Sequence, residues 1–182
     1  MYFLYTTASL VLLVILAPYF AYQALRYRKY VTNLRQRFGC LPVSFNVDAE
    51  PSIWIHAVSV GESLTARSLA GELKTRYPGL RLFVSTTTVA GQQVAARSIT
   101  DADATFYFPL DLPFIVRRTL RLVQPRLFVV METEIWPNLL RACRHAGVRT
   151  VVANGRISNR SYPRYRLVRR LFRHVLDDVD VF

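Results

Sequence analysis

Three carboxylates stand where short apolar runs give way to turns or helices. Glu62 follows Ile53-Trp-Ile-His-Ala-Val-Ser-Val-Gly61, and Glu132 and Glu134 follow Leu127-Phe-Val-Val-Met131. In an alternating α/β chain such junctions face the ligand crevice, and a carboxylate there can take a proton from an attacking hydroxyl. The plainer alternative for Glu62 is that it complements the positive end of a helix, and the two readings stand level on the residues alone. Gly61 is read as the residue that permits a tight turn before Glu62. Ser59-Val-Gly-Glu-Ser63 has one glycine, so it matches neither a Walker A loop nor a dinucleotide fingerprint. Alternate residues on a strand point to opposite sides, so only one of Glu132 and Glu134 need enter the crevice. Thr86-Thr-Thr88 could offer hydroxyls to phosphate or sugar oxygens, against a solvated turn. Arg156, in Asn154-Gly-Arg156-Ile-Ser158, could meet a phosphate at a helix start, against a solvated side chain.

The elements that must position these groups alternate regularly. Strands are expected at 53–58, 82–85, 104–107, 127–131 and 150–153, with helices at 63–77, 89–98, 113–123 and 137–145. Short apolar strands interleaved with helices predict a parallel sheet covered on both faces, a Rossmann-like α/β domain over 52–182. Val179 to Phe182 reads as the start of another strand, and the stretch from Arg160 to Arg173 before it reads as a solvated basic helix. Trp136-Pro137 opens the helix that ends before Gly147. Residues 29–51 are a basic connector broken by Gly39, Pro42 and Pro51.

Residues 1–28 form a membrane anchor. Phe3 to Leu25 carries no charge, and as a helix it would extend about 33 Å at about 1.5 Å per residue, enough to cross a bilayer. Arg26, Arg28 and Lys29 follow it and no basic residue precedes it, which assigns the rest of the chain to the cytoplasmic side. A cleaved leader would carry its positive charge first. Pro18 and the polar Thr6, Thr7, Ser9 and Gln23 keep a peripheral, partly inserted helix as the alternative to a single pass.

The net charge is +12, and all basic residues except Lys29 and Lys74 are arginine, a side chain whose planar fork suits phosphate. No recognition motif accompanies that charge, so nucleic acid is not an expected partner. Cys40 and Cys143 are isolated, and His56, His145 and His174 form no ligand pair, so neither a disulfide nor a metal site is expected.

Six blocks resemble the 3-deoxy-D-manno-octulosonic acid (Kdo) transferases that act on lipid A precursor. They are Arg37-Phe-Gly39, His56-Ala-Val-Ser-Val-Gly-Glu-Ser63, Ser85-Thr-Thr-Thr-Val-Ala-Gly91, Tyr107-Phe-Pro-Leu-Asp-Leu-Pro113, Met131-Glu-Thr-Glu-Ile-Trp-Pro-Asn138 and Asn154-Gly-Arg-Ile-Ser-Asn-Arg-Ser161. The resemblance implies the amino-terminal, acceptor-binding half of a GT-B glycosyltransferase, with the donor-binding half outside this chain. It implies inverting transfer of Kdo from CMP-Kdo to lipid A precursor (lipid IVA) at the inner membrane, with no cofactor. By position, Glu62 matches the family's proton acceptor and Glu132 its transition-state stabiliser, and Ser59, Gly61, Thr87 and Arg156 fall to acceptor binding. Two positions depart from the usual pattern: Thr88-Val-Ala-Gly91 replaces a threonine-proline-threonine-glycine form, and Gly155 stands where alanine is usual. The competing expectation is a membrane-anchored module that binds anionic lipid without catalysis.

Overall fold

The computed structural model describes residues 1–27, 33–132, 134–156, 166 and 169–182. The connector from Arg28 to Thr32 and most of the basic stretch after Arg156 lie outside them. Five parallel strands, β1 (Ser52–His56), β2 (Arg81–Thr86), β3 (Ala104–Tyr107), β4 (Pro125–Met131) and β5 (Arg149–Ala153), form one sheet in the order β3-β2-β1-β4-β5. The expected α/β alternation is therefore present. Val181 makes a parallel bridge to Val151, with Val152 N–H donating to Val181 O at 2.9 Å, so the last residues begin a sixth strand beside β5 as anticipated.

The strands are apolar on both faces because helices cover both. Along β1, Ile53 and Ile55 enter one core layer and Trp54 the other, the two-residue period of a strand. The Ile53 layer packs under α3 (Val60–Arg76) and α4 (Val89–Ser98), where Ala66, Ala70 and Ala95 let the helices approach the sheet closely. The Trp54 layer is aromatic: Trp54 sits 4.6 Å from Phe128 and 5.5 Å from Phe106, ring centroid to centroid. It lies under α5 (Pro113–Val123) and α6 (Pro137–His145), each opened by proline at a position where a missing N–H costs nothing. Cys143 is fully buried in this layer and Cys40 lies apart; both are free thiols.

The connector is more structured than its sequence suggests. A single turn, α2 (Leu34–Arg37), seals the outer edge of β3: Gln36 Oε1 accepts from Tyr107 N–H at 2.9 Å, and Leu110 N–H donates to Arg37 O at 2.8 Å. Gly39 follows with φ +72°, where a Cβ would stand 3.1 Å from Ile115 O, so glycine is required both for the turn and for the approach to α5.

The first helix, α1 (Tyr2–Tyr27), is long and apolar enough over Tyr2–Gln23 to cross a membrane. It does not stand clear of the domain, however. Tyr2, Thr6 and Ser9 are half-buried and α1 packs against α6. A short carboxy-terminal helix, α7 (Arg169–Leu176), also packs on α6, with Val175 in the aromatic layer.

Candidate functional site

The strand order reverses direction between β1 and β4, because β1 leads outward through β2 to β3 and the chain then returns to β4 on the other side of β1. The carboxyl ends of those two strands bound the crevice in which α/β domains take ligands. His56 of β1 is in register with Val130 of β4, so the loops that leave the two strands lie side by side. Glu62 belongs to one loop and Glu132 and Glu134 to the other.

Glu62 is 8% exposed and sits in the first turn of α3. Its Oε2 accepts from Val58 N–H at 2.8 Å and its Oε1 accepts from Ser59 Oγ at 2.8 Å. This is a variant of the capping box, in which a glutamate three residues after a serine reaches back to the helix entrance. The signal was present in the sequence as Ser59-x-x-Glu62. Each carboxylate oxygen keeps a second lone pair free, so capping and proton acceptance are compatible. Gly61 does not make the expected tight turn: α3 already begins at Val60, the φ of Gly61 is not positive, and a Cβ there would meet nothing within 4 Å. Its bare surface leaves the approach to the first turn of α3 open.

The β2 exit is bound to the β1 exit. Thr88 caps α4 by accepting from Gly91 N–H at 3.0 Å, and its hydroxyl donates to Val58 O at 3.2 Å. Gly91 itself is pressed against the β1 loop, for a Cβ there would lie 3.0 Å from Val58 O and 3.3 Å from the Ser59 carbonyl carbon. Of the three threonines, Thr86 pairs with Gln92 and Thr88 caps, while the buried Thr87 Oγ1 has no partner among the described residues. Thr87 O accepts from Arg37 Nη2 at 2.6 Å, and the Arg37 guanidinium lies over the Tyr107 ring at 4.7 Å.

At the β4 exit Glu132 takes a left-handed conformation, φ +60°, so the alternation of a strand no longer governs Glu134. Glu132 Oε1 pairs with Arg156 Nη2 at 3.0 Å on the exposed rim. Glu134 is half-buried, and its carboxyl is held above the usual range, first by burial, then by the charges of Glu62 and Glu132. All three carboxylates thus share one electrostatic neighbourhood, with Glu134 inside and Glu132 neutralised at the edge. Sequence reasoning favoured Glu132 over Glu134 and did not foresee this division.

Two buried groups beneath the crevice were also not singled out. His56 is fully buried, stacked on Phe108 at 3.8 Å, with Nδ1 3.1 Å from Ser85 O. Nδ1 also lies 3.0 Å from Ser85 Oγ, and a proton on Nδ1 would satisfy the carbonyl, while Nε2 has no hydrogen-bond partner among the described residues. Burial depresses the imidazole to about 3, so it is neutral at physiological pH. Asp111 accepts from Asn138 N–H at 3.0 Å and Leu139 N–H at 2.8 Å, capping α6 from across the domain, and burial raises it to about 6.

The family model for 3-deoxy-D-manno-octulosonic-acid transferase (kdotransferase) matches residues 32–182. The chain belongs to this family. It is 35% identical to the 3-deoxy-D-manno-octulosonic acid transferase of Haemophilus influenzae over 165 residues, covering 90% of this chain and 38% of that protein. The enzyme of the same name from Chlamydia pneumoniae is 33% identical over 171 residues, 93% of this chain and 39% of the relative. That from Chlamydophila psittaci is 29% identical over 181 residues, 99% and 42%. The chain therefore spans about two fifths of the length of these relatives. The matched region contains Glu62, Glu132, Glu134 and Arg156, together with the whole sheet that carries them.

Proposed function

We propose that residues 52–182 are the acceptor-binding half of a Kdo transferase, which moves Kdo from CMP-Kdo to lipid A precursor (lipid IVA) in lipopolysaccharide core synthesis. The observation that supports this most is that Glu62, nearly buried after the β1 exit, and Glu132, at the β4 exit, flank the switch point of a sheet belonging to this family. In this reading the acceptor hydroxyl hydrogen-bonds to a free lone pair of Glu62. The carboxylate takes its proton as the oxygen attacks the anomeric carbon of Kdo, the bond to CMP breaks on the opposite face, and configuration inverts. Glu132, held by Arg156, stabilises charge in the transition state, and the donor half is supplied by sequence beyond these residues. Ser59 orients the Glu62 carboxylate, Gly61 leaves room for the acceptor, and Thr87 and Arg156 bind its polar groups. Arg156 is mostly exposed and can exchange its contact with Glu132 for one with phosphate. Residues 1–28 hold the domain at the cytoplasmic face of the inner membrane, where the acceptor is a lipid.

The test is Glu62→Gln in the full-length enzyme, read as CMP release with lipid IVA as acceptor. Turnover falls by about 10²–10⁴-fold with the fold retained. Turnover within a few-fold of the parent would remove Glu62 from the role of base. The second reading, a lipid-binding module without catalysis, is favoured by one observation: both Glu62 oxygens already serve the helix entrance. A parent chain that binds lipid IVA vesicles but releases no CMP above background, with Glu62→Gln losing only thermal stability, would select it.

A further inference from the structure

Along α1, the half-buried residues are Tyr2, Tyr5, Thr6, Ser9, Leu13 and Leu16, spaced at three and four residues, so one stripe of the helix faces the domain. Its first three turns are polar and specifically paired. The Tyr2 hydroxyl donates to Asp178 and lies 3.1 Å from His174 O, Thr6 Oγ1 donates to Asn138 Oδ1 at 3.0 Å, and Tyr5 lines one small pocket with Asp111. Further along, Leu13 and Leu16 reach the loop Leu110-Asp111-Leu112 and Trp136, the rim of the crevice. The opposite stripe is apolar and open: Phe3 is 80% exposed, Val14 71% and Ile15 63%. Beside Phe3 runs a groove between α5 and α6 lined by Arg117 and Arg121, neither of which has an ion pair among the described residues.

A helix that crosses the bilayer is surrounded by lipid over its whole length, and it cannot lie hydrogen-bonded along a charged domain over the same residues. We propose that α1 is an in-plane anchor: its outward face, Phe3 to Ile15, is immersed in the acyl boundary of an anionic phospholipid membrane. Its inward stripe stays docked on the domain, and Arg117 and Arg121 meet the headgroup phosphates. Charge complementarity selects the occupant, since guanidiniums without an ion pair among the described residues flank the apolar face. This rests on the membrane attachment proposed above and replaces a single pass with a peripheral arrangement. It also brings Trp136 and the crevice rim to headgroup depth, where a lipid's polar end would be presented.

The arrangement fixes the side on which the amino terminus lies. In a Cys40→Ser background, one variant carries a cysteine-bearing extension before Met1 and a second carries Glu72→Cys on the exposed face of α3. Both are treated with a membrane-impermeant maleimide in spheroplasts and in inverted membrane vesicles. Both cysteines are expected to react in inverted vesicles and neither in spheroplasts. Reaction of the extension in spheroplasts, with Glu72→Cys still reacting only in inverted vesicles, would show a spanning helix and overturn the proposal while leaving membrane attachment intact. A chain recovered in the soluble fraction would remove both.

Discussion

At the scale of single residues, Glu62 has two duties that can be measured separately. Glutamine keeps one acceptor oxygen, so Glu62→Gln loses part of the helix entrance at a cost of about 0.5–2 kcal/mol, against a loss of transfer worth far more. Denaturant titration beside turnover separates the two. His56 offers a second residue-level test. Its folded-state value is depressed from 6.5 to about 3, so between those values the unfolded chain binds a proton that the folded chain refuses. The contribution of neutral His56 is complete above about pH 6.5 and is lost as pH falls towards 3, at a slope of about 1.4 kcal/mol per pH unit. Urea midpoints measured across that range should show this slope in the parent and lack it in His56→Gln. Equal slopes would place the titration elsewhere.

At the scale of elements, the site depends on how closely α4 approaches the β1 exit. Gly91→Ala puts a methyl group 3.0 Å from Val58 O, so the loop that presents Glu62 must move. The expected result is destabilisation of about 1–3 kcal/mol, with a fall in turnover greater than the loss of folded protein explains. A variant that melts and turns over like the parent would mean that the loop yields without consequence. The elements themselves were legible. A short run rich in Val and Phe such as Leu127 to Met131, between Pro125 and Pro137, reads as a strand buried on both faces, and Pro113 and Pro137 announce their helices. What pattern could not reveal was long-range pairing. Asp111 caps α6 from 27 residues away, Gln36 seals an edge strand 71 residues on, and Glu134 is perturbed by a carboxylate on another loop. The polar residues of α1 were visible too, but their partners Asp178 and Asn138 come from separate regions that no local pattern links to it.

At the scale of the molecule, the proposed function makes this chain one wall of a cleft, in a family whose members here are more than twice its length. The sheet, its two core layers and the three carboxylates all lie within this chain. One consequence lies in the left-handed backbone of Glu132. A side chain at that conformation costs roughly 1 kcal/mol that glycine would not incur. If folding alone were selected, glycine would be the better residue. Glu132→Gly should therefore hold or raise the melting temperature of the domain while lowering transfer by the full-length enzyme, and a lower melting temperature would mean that the Arg156 pair outweighs the strain. Selection at this position would then be acting on the reaction and against durability, and thermostability screens blind to activity would discard the glutamate.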